Sequence, residues 1–319
     1  MAVIVAGGAL SHSPLMNLDV PDGDRDAVAA FRSAARVLGD AIRAAEPDAV
    51  VIFAQDHFRT VFYDNMPAFL IGVGEVSQWG DWRGPTGPLA TDPELARHVA
   101  RGLFERGFEP AVSYDMKVDH SIAQVLGLLG LEAVPVIPVL VNAAAPPLPT
   151  PARCFAFGAA LRDAVEAFAG SKRVAVLGSG GLSHAPLQVS IDTEQDQAAR
   201  EFFIHGRPRP GVTEEARIAG ILGRIDALAA KIRPEWDRMI LGRLAVGEAG
   251  ALAAELDTAA IEAGGGSGAQ ELRSWLAMLG AAQADSVRVV HYAPVRFLVT
   301  GMAAIAVECA PPGAPPRPH

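Results

Sequence analysis

Cysteine and positive charge are both scarce in this sequence of 319 residues. The two cysteines, Cys154 and Cys309, are too few for a disulfide framework, and neither lies in a CxxC spacing that would indicate a structural zinc cluster. Lysine and arginine number 27 against 36 acidic residues, which gives a formal net charge of −9. Nucleic acids and anionic membranes both prefer a basic surface, so we expect neither as a partner.

Long apolar runs are also missing. The sequence contains no stretch close to the roughly 20 uninterrupted apolar residues that a membrane span requires. The N-terminal segment MAVIVAGGALSHSP has no positively charged start, and glycines interrupt its apolar run before it reaches signal-peptide length. Together with the low cysteine content, these absences predict a protein of the reducing cytoplasm.

Half of the residues are hydrophobic and only 20% are charged, which predicts a large buried core. Short runs rich in valine and isoleucine alternate with helical patterns, and near-continuous apolarity is typical of strands covered on both faces. We therefore predict an α/β fold of three layers, with a largely parallel or mixed sheet flanked by helices. The predicted strands are 2–9, 49–54, 111–114, 134–141, 173–178 and 287–293, and the predicted helices are 26–45, 92–107, 120–130 and 151–170.

The C-terminal half is rich in helical patterns. We predict helices at 192–204, 213–232, 234–245, 248–262 and 269–283. This block could form a helical subdomain, but a strand pattern returns at 287–299, so we favour one domain over residues 1–310. We expect the segment GGGSG at 264–268 to be a flexible turn and residues 311–319 to be a disordered tail.

Four of the eight histidines follow a predicted strand: His12, His57, His120 and His184. Ligands of open α/β sheets bind beyond the carboxyl ends of the strands, so these imidazoles could converge on one cleft as metal ligands or proton carriers. A single loop histidine is more often a surface or turn residue, but four such coincidences favour a functional cluster. We interpret the remaining histidines as structural or solvated: His98, His205, His291 and His319.

Two other motifs carry less weight. The run that starts at Asp22 begins like a calcium loop, but the twelfth position is Ser33 instead of a glutamate, so a solvated helix cap is favoured. Gly178-Ser179-Gly180-Gly181 is an incomplete dinucleotide fingerprint. We expect its glycines to let the backbone pass close to a ligand or metal.

Five motifs together resemble the class III (LigB-type) extradiol ring-cleavage dioxygenases. They are SHSP at 11–14, DHF with FYDNMPAF at 56–69, VDHS at 118–121, GSGGLSH at 178–184 and QELRSW at 270–275. The resemblance covers residues 1 to about 300 and keeps the family order. It implies Fe(II)-dependent cleavage by O₂ of a substituted catechol, such as 2,3-dihydroxyphenylpropionate, to a muconic semialdehyde-type product, and it implies a homo-oligomer.

The resemblance also implies residue roles. It places the iron ligands at His12, His57 and Glu271, which together form a facial triad of two histidines and one carboxylate. From the residues alone, Glu262 and Glu255 are equally eligible, and Glu271 could be an ordinary carboxylate in the first turn of a helix.

The acid/base residues implied by the resemblance are His184 and His120. The neighbouring Asp119 could orient a histidine or cap the helix that follows it. A metal-binding relative without dioxygenase activity, or a zinc hydrolase on the same scaffold, stays open as an alternative.

Overall fold

The computed structural model describes residues 1–185, 191–209, 211–284 and 286–310, and it confirms the predicted α/β fold with a mixed sheet. Nine strands form one sheet. In chain order they are β1 Val3–Leu10, β2 Ala49–Ala54, β3 Phe69–Trp79, β4 Thr86–Pro88, β5 Ala111–Val118, β6 Val136–Val141, β7 Arg173–Ser179, β8 Val287–Val295 and β9 Thr300–Val307.

The helices follow the order of the predicted helical patterns. They are α1 Arg25–Ala44, α2 Pro93–Glu105, α3 His120–Leu129, α4 Pro151–Glu166, α5 Gln197–His205, α6 Glu214–Leu222, α7 Ile225–Ala229, α8 Pro234–Ala245, α9 Ala249–Glu255, α10 Thr258–Gly265 and α11 Leu272–Ala282. Short 3₁₀ turns lie at Pro14–Asn17, Asp22–Asp24, Asp81–Arg83 and Ser267–Glu271. No helix in the described ranges is long and apolar enough to cross a membrane.

The centre of the sheet is parallel, and an antiparallel strand joins it on each side. The strand order is β4-β3-β6-β2-β7-β1-β9-β8, with β5 paired to β3 outside this path. Strands β6, β2, β7 and β1 are parallel neighbours, whereas β3 joins β6, and β9 joins β1, in the antiparallel sense. The carboxyl ends of β1, β2 and β7 therefore lie side by side at one edge of the sheet.

Helices cover both faces of the sheet. Helices α1 and α3 bury Phe31, Leu38 and Ile122 against one face. Helices α2, α4 and α11 bury Val99, Leu161 and Trp275 on the other face. The three layers thus bury the four central strands, whose runs of valine and isoleucine are almost fully covered.

Helices α4 and α11 approach each other through glycines. A Cβ atom on Gly158 of α4 would lie 1.8 Å from the carbonyl oxygen of Ala277, and one on Gly280 of α11 would lie 2.1 Å from that of Phe155. Both distances are far inside van der Waals contact, so each helix needs glycine where the other crosses it. This close contact holds the N-terminal turn of α11 at a fixed position beside the sheet.

Several boundaries differ from the sequence-based prediction. Strand β5 is longer than 111–114, and β3, β4 and β9 were not predicted as separate strands. The run 287–299 was predicted as a single strand, but it belongs to a hairpin: β8 ends at Val295, and a turn with Val299 at φ +50° leads into β9. Both hairpin strands join the sheet, as the returning pattern indicated.

The helical block also differs in detail. Helix 192–204 begins later, at Gln197, and the runs predicted as 213–232 and 248–262 are each divided into two helices. Asp257 explains the second break, because its side chain accepts the backbone N–H of Ala260 and starts a new helix. Gly264 and Gly265 are not a flexible turn. They complete α10, and a Cβ on Gly264 would lie 2.3 Å from the ring of Trp236. The predicted tail, 311–319, lies outside the described residues.

Candidate metal centre

Three of the predicted histidines lie together at the carboxyl edge of the sheet. The ring centroids of His12 and His57 are 5.4 Å apart, those of His12 and His120 are 5.3 Å apart, and the rings of His57 and His120 stack at 4.4 Å. One ring nitrogen of each lies within 4.8 Å of the others, so the three could hold a metal ion. His12 and His120 are buried, whereas about a quarter of the His57 side chain is exposed.

Two different features of the fold bring these histidines together. His12 and His57 follow the adjacent ends of the parallel region, after β1 and β2. His120 follows β5, which runs antiparallel to β2, so the strand-end rule does not account for its position. It is held instead by Ser121, whose hydroxyl donates to the carbonyl of Gln55 at 2.7 Å and whose carbonyl accepts from the hydroxyl of Ser179 at 2.5 Å.

Each of these imidazoles is fixed at Nδ1 by a partner behind it. His12 Nδ1 lies 3.0 Å from the Ser179 hydroxyl oxygen, which already donates its own hydrogen to Ser121 and so accepts from the ring. His57 Nδ1 lies 2.8 Å from Asp119 Oδ2, a carboxylate that can only accept. The Nε2 atoms of both rings are therefore directed toward the centre of the cluster. This is the usual arrangement of metal-binding histidines, which donate their other N–H to a second group.

His120 repeats this arrangement with a residue that the sequence-based prediction missed. Its Nδ1 lies 2.7 Å from Oδ2 of Asp81, in the 3₁₀ turn after β3. Its Nε2 is buried and has no hydrogen-bond partner among the described residues. Burial of a ring nitrogen without a hydrogen-bond partner costs free energy. This atom is therefore suited to bind a ligand or a metal, or to exchange a proton with a substrate.

The side chain of Asp119 forms hydrogen bonds with His57 and not with the ring of its sequence neighbour His120. Its Oδ2 accepts from both the backbone N–H and the ring Nδ1 of His57, and its Oδ1 accepts the backbone N–H of Ser121 at 2.8 Å. The residue therefore orients a histidine and also caps α3, which were the two predicted roles. Burial would raise the pKa of Asp119, but the nearby His57 and His120 hold it far below its usual range, so the carboxylate is charged.

Glu271 brings a carboxylate to the same cluster from the start of α11. Its Oε1 lies 3.3 Å from His57 Nε2, and its Oε2 accepts the backbone N–H of Gly181 at 2.6 Å. Gly180 has φ +146°, and a Cβ there would lie 2.9 Å from that of Glu271. The glycines after β7 therefore allow the close approach that the sequence predicted. Burial opposes ionisation of Glu271, but the charge of His184 and hydrogen bonds from His184 and His57 bring its pKa well below the ordinary value.

His184 approaches the same oxygen of Glu271 as His57 does. Its Nδ1 donates to the carbonyl of Leu182 at 2.9 Å, and its Nε2 is 3.6 Å from Glu271 Oε1. The preceding Ser183 is fixed by Asp237 of α8, which accepts both its backbone N–H and its hydroxyl at 2.8 and 2.7 Å. A helix remote in sequence thus holds the segment that carries His184.

The cluster offers two overlapping sets of metal donors. One is His12, His57 and His120, in which one ring nitrogen of each lies within 4.8 Å of the others. The other replaces His120 with Glu271, whose Oε1 faces His57 and has no backbone partner among the described hydrogen bonds. Burial lowers the pKa of His12 to about 3, so this imidazole is neutral, and its Nε2 lone pair, 3.3 Å from the amide nitrogen of Gln55, is the atom that could bind a metal. The residues present therefore fit a divalent cation held by imidazole and carboxylate.

A cavity of about 700 Å³ opens from the cluster toward α6. Gln55, His57 and Glu271 form its floor. Its walls are largely aromatic, with Phe58, Phe62, Trp79, Trp82, Phe202 and Phe203. A cavity of this size and lining can enclose an aromatic ring next to the metal donors.

The remaining sequence motifs lie away from this cluster. His98, on α2, packs beside Phe168. His205 is the last residue of α5, and His291, on β8, lies near Phe31. His319 lies outside the described residues. The calcium-like run forms the turn before α1, where Asp24 pairs with Arg296 at 3.0 Å.

Histidine and carboxylate donors at the carboxyl edge of an α/β sheet, at the floor of an aromatic cavity, define a candidate non-haem metal centre. The family model for the catalytic LigB subunit of aromatic ring-opening dioxygenases matches residues 7–306. The chain therefore belongs to the LigB family of class III extradiol dioxygenases, an oxidoreductase family whose members typically depend on Fe(II).

Curated relatives cover nearly the whole chain. A 2,3-dihydroxyphenylpropionate/2,3-dihydroxicinnamic acid 1,2-dioxygenase from Photorhabdus laumondii is 34% identical, over 93% of this chain and 95% of its own. Proteins of the same name from a Rhodococcus species and from Mycolicibacterium paratuberculosis are 38% and 36% identical, over 88% and 92% of this chain and 90% and 96% of theirs. A crystal structure of an uncharacterized Escherichia coli K12 protein is similar in fold, with a TM-score of 0.50, 14% identity, and coverage of 95% of this chain and 99% of that one.

Proposed function

We propose that this protein is an Fe(II)-dependent dioxygenase that cleaves a catechol with a carboxylated side chain, such as 2,3-dihydroxyphenylpropionate, next to its hydroxyl pair. The observation that carries the proposal is the convergence of His12, His57 and Glu271 at the floor of an aromatic cavity. The names of the relatives support the choice of substrate.

His12, His57 and Glu271 would hold the iron. Two imidazoles and one carboxylate bind Fe(II) on one face, and the bound iron supplies sites for a chelating catechol and for O₂. Ser179, Asp119 and Gly181 hold these ligands from behind, so the donor atoms keep their positions while substrate enters.

His184 and His120 would exchange protons with the substrate. Each is tied at Nδ1, His184 to the carbonyl of Leu182 and His120 to the carboxylate of Asp81, so Nε2 is the exchanging atom in both rings. A catechol must lose a proton to chelate a cation, and the cleaved ring must gain one at the departing oxygen. Imidazole is suited to both steps near neutral pH, and each contributes about 10²–10⁴-fold to the rate.

The test is oxygen uptake by protein reconstituted anaerobically with Fe(II). Catechols should consume O₂ with formation of a yellow ring-fission product, and a monophenol should give no uptake because it cannot chelate through two oxygens. Comparable uptake with phenol would contradict the mechanism. Hydrolytic activity with zinc and none with iron would favour the zinc hydrolase alternative, and stable metal binding without any turnover would favour a metal-binding role.

A further inference from the structure

The cavity above the metal centre has a positively charged end. Besides the aromatic walls, its lining includes four arginines: Arg59, Arg209, Arg217 and Arg224. Apart from Glu271 at the floor, Glu214 is the acidic residue among the described lining residues. The side of the cavity formed by α6 therefore has an excess of positive charge, although the protein as a whole is acidic.

Arg217, on α6, is one of the cations of this group without a close counter-ion. Its guanidinium carbon lies 5.3 Å from the ring centroid of Trp82, and the Trp82 ring is 6.4 Å from that of His120. Across the described residues, no carboxylate lies within 4.0 Å of its side-chain nitrogens. The side chain is half-buried; burial and the neighbouring charge of Arg59 lower the pKa of Arg217, and the more distant carboxylates of Glu214 and Asp81 act in the opposite direction.

Arg59 supports the same end of the cavity. Its side chain is 18% exposed, and its contacts to Asp81 and Glu214 are both long, at 3.5 Å. Its Nε and Nη2 atoms are buried without a hydrogen-bond partner in the described parts of the chain. Two adjacent guanidinium groups with unused donors form a suitable receptor for a carboxylate, which accepts charge-assisted hydrogen bonds from both.

We propose that Arg217, with Arg59 beside it, binds the carboxylate of the substrate side chain and so selects anionic over neutral catechols. This inference rests on the proposed function. The hydroxyl pair would lie at His57 and Glu271, the ring between the aromatic walls, and the carboxylate at α6. Trp82 lies between His120 and Arg217, so one side chain separates the reacting end of the cavity from the charged end.

The test compares two substrates that differ in charge. The ratio of kcat/KM for 2,3-dihydroxyphenylpropionate to that for 3-propylcatechol is measured in wild type, Arg217→Gln and Arg217→Lys. We expect the ratio to fall about 10–100-fold in Arg217→Gln, mainly through KM for the anionic substrate, because a charge-assisted hydrogen bond is lost. Arg217→Lys should recover part of the ratio. Arg224→Gln is the matched control, since Arg224 lines the same cavity but already donates through Nε to the carbonyl of Gly220 in α6, and its ratio should stay within threefold of wild type.

Binding without turnover gives an independent measurement. 3-Phenylpropionate lacks the hydroxyls but keeps the carboxylate, and calorimetry should show its affinity for metal-free protein reduced at least tenfold in Arg217→Gln. An unchanged substrate ratio, an equal loss for both catechols, or a larger effect in Arg224→Gln would overturn the assignment of Arg217 and leave the dioxygenase proposal standing. Failure of wild type to cleave either catechol, with 3-phenylpropionate still bound through Arg217, would overturn the dioxygenase proposal instead.

Discussion

Asp119 binds His57 at two points. Its Oδ2 lies 2.9 Å from the backbone nitrogen and 2.8 Å from Nδ1 of the same residue, while its Oδ1 caps α3. One carboxylate thereby fixes both the main chain and the ring orientation of His57 and joins the end of β2 to the start of α3. The geometry of the metal centre thus depends on a residue that would not touch the metal.

Asp119→Asn should weaken iron binding without removing a ligand. Asparagine has one acceptor oxygen in place of two, so it cannot accept from His57 and from the backbone N–H of Ser121 at once, and loss of the charge makes the ring a weaker donor. We expect the affinity for Fe(II) to fall about 10–100-fold, which is typical when the partner of a metal-binding histidine is changed. Competition with a chelator measures this, and Asp115→Asn, on the exposed side of β5, is the control. Equal retention of iron in both variants would contradict the role of Asp119.

Removal of a proposed ligand should have a larger effect than removal of any other residue in the cluster. His12→Ala, His57→Ala and Glu271→Ala should each lose iron during dialysis, because a triad has no spare protein ligand. Iron content per chain measures the outcome, and Glu262→Ala is the matched carboxylate control on the neighbouring helix α10. Iron-free His120→Ala together with loaded Glu271→Ala would show that the three histidines are the ligands.

The acid/base residues should be separable from the ligands by the same measurement. His184→Ala should keep its iron and bind catechol but lose about 10²-fold or more in kcat, as expected for removal of one general acid/base. His120→Ala should behave similarly. His205→Ala, at the exposed end of α5, should match wild type. A normal kcat in His184→Ala would refute its proposed role.

Strand ends explain why much of this cluster could be predicted from sequence. His12, His57 and His184 follow β1, β2 and β7, whose hydrophobic runs are easily recognised and whose parallel order brings their carboxyl ends together. His120 was predicted by the same rule, but it reaches the cluster through the hydrogen bonds of Ser121. The prediction of its position was right although the reason was not.

The residues that surround the candidate metal donors could not be predicted from the sequence. Asp81 lies in a turn where Trp82 and Arg83 have φ values of +53° and +57°, a conformation that no local sequence signal indicates for these residues. Arg217 reaches the cavity only because α6 packs beside this turn. Such contacts depend on how distant elements pack, and single-sequence patterns report only the elements themselves.

Strands β3 and β9 were missed in the sequence-based prediction for a related reason. Strand β3 contains Gly72 and Gly74, which weaken a strand pattern, yet a Cβ on Gly74 would lie 2.2 Å from the carbonyl oxygen of Tyr114 in β5. Strand β9 reads TGMAAIAV, in which four of the eight residues are alanine or glycine. In both cases the sheet requires small residues where strands or helices lie close, and these same residues reduce the local preference for a strand.

The crossing of α4 and α11 gives a test of the fold that is independent of activity. In Gly158→Ala the new methyl group would lie 1.8 Å from the carbonyl oxygen of Ala277, so the two helices must separate and α11, which begins directly after Glu271, must move. Overpacking of this kind costs about 1–3 kcal/mol, occasionally more. We expect a free energy of unfolding lower by about 3 kcal/mol in urea denaturation. Gly242→Ala is the matched control, because Gly242 lies inside α8, is exposed and has open space around it, so the same change should stabilise the protein by up to about 1 kcal/mol. If the free energy of unfolding changed in the same direction in both variants, the contact between α4 and α11 would not be as close as the structure shows.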